Sequence, residues 1–125
     1  MKIEFRLITA FIAIVLMSVA IAESARSRPL DEDAALSLLQ RTLKRDHVYE
    51  KRIALDCIAY GTEETTNAYF EFVLREIHNA KCGGDPETIP AIDRYRVYHR
   101  PGKIQQWEAV EDKWQPYKRA KAPDF

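Results

Sequence analysis

The chain has 125 residues, with 19 basic and 19 acidic side chains and a formal net charge of zero. Nucleic-acid-binding domains usually carry a basic excess, so this balance argues against a nucleic-acid partner. The length is enough for one compact domain behind a leader and too short for two.

The first 22 residues have the pattern of a secretory signal peptide. Lys2 and Arg6 make its start positive, residues 7–17 are almost all apolar, and Ala20 and Ala22 form the small-x-small pattern of a cleavage site. The apolar stretch is shorter than the roughly 20 residues that a transmembrane helix needs. We therefore expect cleavage after Ala22, no stable membrane span afterwards, and a periplasmic or secreted protein.

The next segment predicts a flexible lead and then a helix. Residues 23–30 are polar and end near a proline, which is typical of a flexible lead. Asp31 is a typical N-cap, and the two acidic residues after it favour the positive end of a helix dipole. Apolar side chains then recur at helical spacing, at Ala35, Leu36, Leu39 and Leu43. We predict an amphipathic helix over residues 31–45.

Beyond the helix the apolar period changes from about 3.6 to about 2, as in strands with one buried face. Residues 52–59 alternate in this way, which predicts a first strand that turns Cys57 into the core. Residues 61–67 are polar and predict a turn, and the aromatic-rich residues 68–77 predict a second strand. Residues 79–90 include glycines and prolines, which predict a loop.

The last third of the chain predicts a β-hairpin followed by an edge strand. Residues 92–100 and 103–109 predict a third and a fourth strand around a tight Pro-Gly turn. Residues 113–117 are a candidate edge strand, where a proline is tolerated. Residues 118–125 have few apolar side chains and predict a mobile tail.

One helix followed by three or four antiparallel strands buries its apolar stripe by lying across the concave face of the sheet. The sequence therefore predicts a single α+β domain over residues 31–117, with an N-terminal helix packed on a three- to four-stranded meander sheet. This order of elements resembles the cystatin-like folds, in which a meander sheet wraps an N-terminal helix. Because one fold hosts many functions, the resemblance implies a fold and no activity.

The chain has two cysteines, Cys57 and Cys82. In an oxidising compartment such a pair is most simply a disulfide, since only one intramolecular pairing exists. Closing the loop of about 25 residues between them is worth roughly 3 kcal/mol in the chain-entropy model. We predict that this disulfide stabilises a domain of marginal size.

Polar side chains are densest in the block R-E-I-H-N-A-K-C-G-G-D-P, residues 75–86. Glu76 and His78 lie two apart in an extended segment, so their side chains share a face where a carboxylate can orient an imidazole. This block, with the predicted strand after it, resembles a pattern in short exported bacterial proteins of unknown function. The resemblance covers residues 69–107; it implies export and a small disulfide-closed domain, and it implies no activity.

Three interpretations of the block are open. In the first it is structural, because the disulfide ties the loop down and two glycines supply positive φ angles. In the second, Cys82 is a thiol nucleophile, with His78 as its base and Glu76 or Asn79 orienting the ring. In the third, the block is part of a metal site. Its ligands would be His78, Cys82 and Asp85, joined by either His47 or His99.

We favour the structural interpretation. A nucleophilic thiol must stay reduced, but Cys57 is an available partner for Cys82. The chain also has no paired C-x-x-C or H-x-x-x-H spacing and no hydrolase or nucleotide-binding motif. We therefore predict no metal and no cofactor, and we keep His78 and Glu76 as weak catalytic candidates. The other two histidines are expected to be solvated turn residues.

The charge is unevenly distributed although its total is zero. A basic end is predicted in the last third of the chain, made of Arg94, Arg96, Arg100, Lys103, Lys113, Lys118, Arg119 and Lys121. Such a surface can steer an anionic partner. Aromatic residues and arginine are favoured at recognition surfaces, which predicts binding through Arg94, Arg96, Tyr98 and Trp107. The alternative is that these aromatic residues are only the core and rim of a small sheet.

These observations favour an exported, non-enzymatic binding or inhibitory domain that acts on a protein or an anionic cell-envelope component. The argument is one of elimination, from the small size, one disulfide, a polarised surface and no catalytic motif. An immunity-type or hydrolase-inhibitor role is its most concrete form. The alternatives are a small envelope hydrolase that uses His78 and Glu76, and a structural envelope component.

Overall fold

The computed structural model describes residues 28–119. The predicted signal peptide, residues 23–27 of the predicted lead and residues 120–125 of the predicted tail lie outside the described residues. The described elements are α1 (Glu32–Arg45), a 3-10 turn (Leu55–Cys57), β1 (Ile58–Thr65), β2 (Tyr69–Glu76), β3 (Ala91–Tyr98), β4 (Ile104–Glu108) and β5 (Lys113–Pro116). Within this range, the structure has no helix of the length and apolarity that crossing a membrane requires.

Helix α1 forms where its periodicity predicts it. Asp31 has an extended backbone, and its carboxylate accepts a hydrogen bond from the Ala34 amide at 2.8 Å, which satisfies a free donor of the first turn. At the other end, the Asp46 amide donates to the Thr42 carbonyl at 3.0 Å. The helix therefore begins after Asp31 and ends before Asp46, close to the bounds that the sequence predicts.

The Asp46 side chain connects the end of α1 to the segment after β5. It is 2% exposed, and its carboxylate accepts hydrogen bonds from the Arg45 guanidinium at 2.8 Å and from the Tyr117 hydroxyl at 2.9 Å. The Arg45 hydrogen bond is the largest cause that lowers the pKa of Asp46 to about 2. A buried carboxylate thus stays ionised because both of its oxygens have partners.

The sheet is an antiparallel meander with the strand order β1-β2-β3-β4-β5. The expected α+β class is confirmed, but the expected count of three or four strands is wrong. The candidate edge segment does pair, since Lys113–Pro116 runs antiparallel to β4 with Trp114 opposite Trp107. Pro116 fits there because an edge strand tolerates a residue that cannot donate to the ladder.

The predicted bounds of the first strand, residues 52–59, are wrong, because the strand begins later, at Ile58. Leu55–Cys57 forms a 3-10 turn, and β1 runs through most of the predicted turn at residues 61–67. These polar residues form a strand because β2 supplies backbone partners on one side while the edge position leaves their side chains in solvent. The inward orientation predicted for Cys57 is confirmed, since the residue is 5% exposed.

The core lies between α1 and one face of the sheet. Ala35, Leu39 and Leu43 of the helix pack with the inward side chains of β2 and β3. Those inward side chains are Phe70, Phe72, Leu74, Tyr95 and Val97. Because side chains alternate along a strand, the residues between them point to the opposite face, which we call the outer face.

His99 differs from its prediction as a solvated turn residue. Its ring stacks on Phe70 with 4.4 Å between ring centroids, and its Nε2 atom is buried without a partner among the described residues. The backbone explains this position, because the His99 amide donates to Ala68 at 2.9 Å and its carbonyl accepts from Leu30 at 3.0 Å. His47 matches its prediction, since it is exposed, has a φ of 52° and contacts Glu50 at 2.6 Å.

Candidate functional site

The outer face of the sheet carries a row of aromatic rings interrupted by one arginine. Strand pairing places Tyr69 of β2 opposite Tyr98 of β3, and Trp107 of β4 opposite Trp114 of β5. Arg96 of β3 points to the same face, because it alternates with the buried residues Tyr95 and Val97. We call Tyr69, Tyr98, Arg96, Trp107 and Trp114 the aromatic ladder.

The members of the ladder contact one another in sequence across four strands. The Tyr69 and Tyr98 ring centroids are 5.5 Å apart, and the Arg96 guanidinium carbon lies 4.3 Å from the Tyr69 ring centroid. The same carbon lies 4.0 Å from the Trp114 ring, which meets Trp107 edge-on at 5.4 Å. The Arg96 guanidinium therefore lies over two aromatic rings, a favourable cation–π geometry.

An ion pair fixes the arginine at the centre of the ladder. Arg96 Nε donates to Glu71 Oε2 at 3.0 Å, and their side chains are 21% and 9% exposed. A carboxylate so shielded from water needs a charged or hydrogen-bonding partner. The ladder is thus pre-organised, because packing and this ion pair restrict the side chains before any partner arrives.

The predicted basic end is partly neutralised in the structure. Four of its members have a carboxylate within 4.0 Å: Arg94 with Glu63, Arg96 with Glu71, Lys113 with Glu111, and Arg119 with Asp46. For Arg94 and Arg96, the sheet brings acidic residues of β1 and β2 beside the cations, which a count along the chain does not reveal. The contact of Arg94 with Glu63 is long, at 3.5 Å, and the Arg94 side chain is 44% exposed.

A cleft of about 260 Å³ adjoins the ladder where β3 and β4 diverge. Pairing between these strands covers only Tyr95 to Val97, so Arg94 and Trp107 face each other across a gap. The cleft is also lined by Asp93, Gln106 and Glu108. An aromatic face beside donors and acceptors is a surface that can hold a polar group of a partner.

The structure places all four predicted binding residues, Arg94, Arg96, Tyr98 and Trp107, on the outer face. Sequence reasoning missed Tyr69 and Trp114 as members of the same row. The outward orientation of Tyr69 could have been predicted from strand alternation, because its neighbour Phe70 and the next inward residue, Phe72, are buried. Trp114 could be found only by accepting the fifth strand and its register.

The block at residues 75–86 is built around the predicted disulfide. Cys57 and Cys82 are bonded, and neither cysteine is free. The interpretation of Cys82 as a thiol nucleophile therefore lacks its nucleophile in this structure. The bond ties the loop between β2 and β3 to the 3-10 turn that precedes β1.

Glu76 and His78 meet as their spacing predicts, in a cleft of about 330 Å³ beside the disulfide. His78 Nε2 lies 2.8 Å from Glu76 Oε2, and His78 Nδ1 lies 2.9 Å from the Asp85 carbonyl oxygen. Chiefly the hydrogen bond to Glu76 raises the pKa of His78 above its ordinary value of 6.5. Both ring nitrogens face acceptors, an arrangement that favours the doubly protonated ring, and that form has no lone pair to act as a base.

The other two histidines do not join this cluster. His47 contacts Glu50, and His99 stacks on Phe70. Between residues 28 and 119 there is no group of three or more His, Cys, Asp or Glu side chains that could hold a metal ion. The metal interpretation thus has no geometric support in this range.

Comparison of the chain with protein-family models, with curated proteins and with solved structures finds no match. The function is therefore argued from the site alone.

Proposed function

We propose that this chain is an exported, non-enzymatic binding or inhibitory domain that acts on a protein or cell-envelope partner through the outer face of its sheet. The observation that carries the proposal is the aromatic ladder. Trp, Tyr and Arg are the residues most enriched among those that dominate binding energy at interfaces. A row of these types, already restricted by mutual packing, loses little side-chain entropy when a partner covers it.

Export is part of the proposal, with a periplasmic or secreted destination. The disulfide supports it, because such bonds persist in oxidising compartments and are rare in the cytosol. The pattern of the first 22 residues supports it independently. The finer assignment to a cystatin-like fold, and the resemblance to short exported bacterial proteins, belong to the same proposal.

A capture experiment tests the binding face. The mature protein is immobilised and incubated with an envelope extract, in parallel with Trp107→Ala and Arg94→Glu. Arg41→Glu is the matched control, because it makes the same charge change at an exposed position of α1, on the other side of the sheet. Ile89→Ala is the apolar control, since this exposed side chain lies in the loop before β3.

We expect Trp107→Ala and Arg94→Glu to reduce the captured partner while both controls retain it. Arg94→Glu reverses a charge beside the aromatic ladder, and such a change should act mainly on the association rate and its salt dependence. Surface plasmon resonance measures both. Circular dichroism and urea unfolding confirm that each variant is folded. Folded Trp107→Ala and Arg94→Glu variants that capture as much partner as the wild type would contradict the proposal.

The alternative function is a small envelope hydrolase that uses His78 and Glu76. The 2.8 Å contact between their side chains in an open cleft favours it. A general base needs a free ring nitrogen, however, and the second nitrogen of His78 is bonded to a backbone carbonyl. Ester or amide hydrolysis that disappears in His78→Gln and persists in Trp107→Ala would favour this alternative over the binding domain. If the protein were a structural envelope component, it would show no hydrolysis, and Trp107→Ala would not reduce the capture of any partner.

A further inference from the structure

We propose that His78 is a pH-sensitive pin for the loop between β2 and β3: its doubly protonated ring holds residues 84–88 closed, and loss of one proton releases them. This inference is independent of the proposed binding face, because His78 does not contact the aromatic ladder. It concerns a conformational device built into the loop that carries the disulfide.

The partners of the ring set its protonation state. His78 Nε2 faces the Glu76 carboxylate at 2.8 Å, and Nδ1 faces the Asp85 carbonyl oxygen at 2.9 Å. A carbonyl oxygen and an ionised carboxylate oxygen can only accept hydrogen bonds. With the Thr88 hydroxyl donating to the Asp85 carbonyl, the closed loop favours the imidazolium form of His78, which bridges the end of β2 and the loop.

The loop backbone is packed directly against this ring. The His78 side chain is 13% exposed, and a Cβ atom built on Gly84 would lie 2.6 Å from the ring. Gly84 also has a φ of +80°, which glycine adopts at little cost. Only a residue without a side chain lets the chain pass so close to the imidazolium.

The charges around the ring favour its protonated form. Among residues 28–119, Glu76 on β2 is the only carboxylate in hydrogen-bonding contact with it, and Asp85 in the loop adds a second negative charge nearby. Two cations line the same cleft: Arg52, from the segment before the 3-10 turn, and Lys81, which pairs with Asp56 of that turn. The hydrogen bond to Glu76 is the largest cause that raises the pKa of His78, and it outweighs the burial that lowers it.

Loss of the Nδ1 proton breaks the bridge at its loop side. A lone pair would then face the Asp85 carbonyl at 2.9 Å, which is repulsive. The Thr88 hydroxyl, 3.0 Å from Nδ1, is the one neighbouring group able to donate to the deprotonated nitrogen, but it now donates to that same Asp85 carbonyl. Satisfying the neutral ring therefore removes another bond that holds the loop in its closed form.

The released segment has defined ends. The Gly83 amide donates to the Asn79 carbonyl at 2.8 Å, and the Ile89 carbonyl accepts a hydrogen bond from the Arg75 guanidinium at 3.2 Å. Neither of these ties depends on His78. Deprotonation thus frees the residues between the two ties without unfolding the sheet.

The sign of the pH effect follows from the raised pKa. The pin is fully formed below the ordinary value of 6.5, and its stabilisation is lost as the pH rises through the higher folded-state pKa. Hydrogen exchange and NMR titration of the folded protein between about pH 5.5 and about pH 9 test this, since histidine charge changes fall in that range. Protection factors, corrected for intrinsic exchange, are compared for three amides.

The reporter is the Thr88 amide, which donates to the Asp85 carbonyl at 3.0 Å within the released segment. The internal controls are the amides of Ile77, bonded to Cys57, and Gly83, bonded to Asn79. We expect Thr88 protection to fall as the pH passes the His78 midpoint, by about tenfold for each unit by which closure raises the pKa. The two control amides should keep their protection.

Variants separate the pin from general pH effects. His78→Gln should remove the pH dependence of Thr88 protection, and Thr88→Val should steepen the loss at high pH because no donor replaces the Nδ1 proton. His47→Gln is the matched control, because His47 also contacts a carboxylate but is exposed and distant from the loop in sequence. A His78 midpoint at or below 6.5, unchanged Thr88 protection across that midpoint, or the same pH dependence in His78→Gln would overturn the proposal.

Discussion

Tyr49 is completely buried although it lies in the turn-rich segment between α1 and the 3-10 turn. Its hydroxyl donates to the Asp93 carboxylate and lies 2.6 Å from the Tyr95 hydroxyl. Burial is the largest cause that raises the pKa of Tyr49, so the phenol stays protonated and available as a donor. A single side chain thus links the segment after the helix to β3.

Removal of this hydroxyl tests its contribution. Tyr49→Phe should lower the free energy of unfolding by about 1–3 kcal/mol, because buried partners on β3 lose a hydrogen bond. Urea unfolding monitored by circular dichroism measures the change.

The control is Tyr60→Phe, since the Tyr60 hydroxyl has no hydrogen-bond partner between residues 28 and 119 and only burial raises its pKa. That change should stay within about 0.5 kcal/mol. Equal costs for the two variants would show that the network around Tyr49 adds nothing beyond ordinary burial.

At the scale of elements, the loop between β2 and β3 is held by several independent ties. The disulfide joins it to the 3-10 turn across 25 residues of sequence, and the Asn79 side chain accepts hydrogen bonds from the amides of Lys81 and Cys82 at 3.0 and 2.8 Å. The Arg75 guanidinium donates to the Ile89 carbonyl at 3.2 Å. A segment rich in glycine and proline is therefore ordered by contacts rather than by secondary structure.

Removing the disulfide should destabilise the domain by the same amount whichever of its two cysteines is replaced. Cys57→Ser and Cys82→Ser should each lower the free energy of unfolding by about 2–4 kcal/mol, since each releases the same loop in the unfolded chain. Urea unfolding without reductant measures this, and thiol titration of the denatured wild type should find no free thiol.

Reduction of the wild type provides the control, because it should reproduce the loss seen in the variants and leave the double variant Cys57→Ser/Cys82→Ser unchanged. A large loss for Cys82→Ser with almost none for Cys57→Ser would instead indicate a separate role for Cys82.

At the scale of the whole molecule, the two faces of the sheet differ in the side chains that they carry. The inner face is closed by α1 and is lined by aliphatic and aromatic side chains. The outer face carries the aromatic ladder and its ion pair. The hydrophobic core therefore lies on one face of the sheet, and the binding surface that we propose lies on the other.

The export prediction concerns residues 1–22. Material recovered from outside the cytoplasm should lack residues 1–22 by mass spectrometry, because the small-x-small site ends at Ala22. Ala22→Leu should slow this cleavage, since a larger side chain does not fit the small-residue site. Exported molecules that mostly retain Met1 would contradict the prediction.

Local patterns predicted much of the fold. The cap at Asp31 and the spacing of Leu39 and Leu43 determined α1, because helix signals lie within a few residues of one another. The disulfide could be predicted because two cysteines allow one intramolecular pairing. Glu76 and His78 could be predicted to meet because side chains two apart in an extended segment share a face.

Tertiary structure decided the features that depend on strand register. Trp114 joins Trp107 only because β5 pairs with β4, and Tyr69 reaches Arg96 only because β2 lies beside β3. The same pairing neutralises part of the basic end by bringing Glu71 beside Arg96. The amino-acid sequence by itself therefore determined the helix, the disulfide and most strands. The row of side chains that could recognise a partner arises only when distant strands align, because its contacts cross between strands rather than run along any one of them.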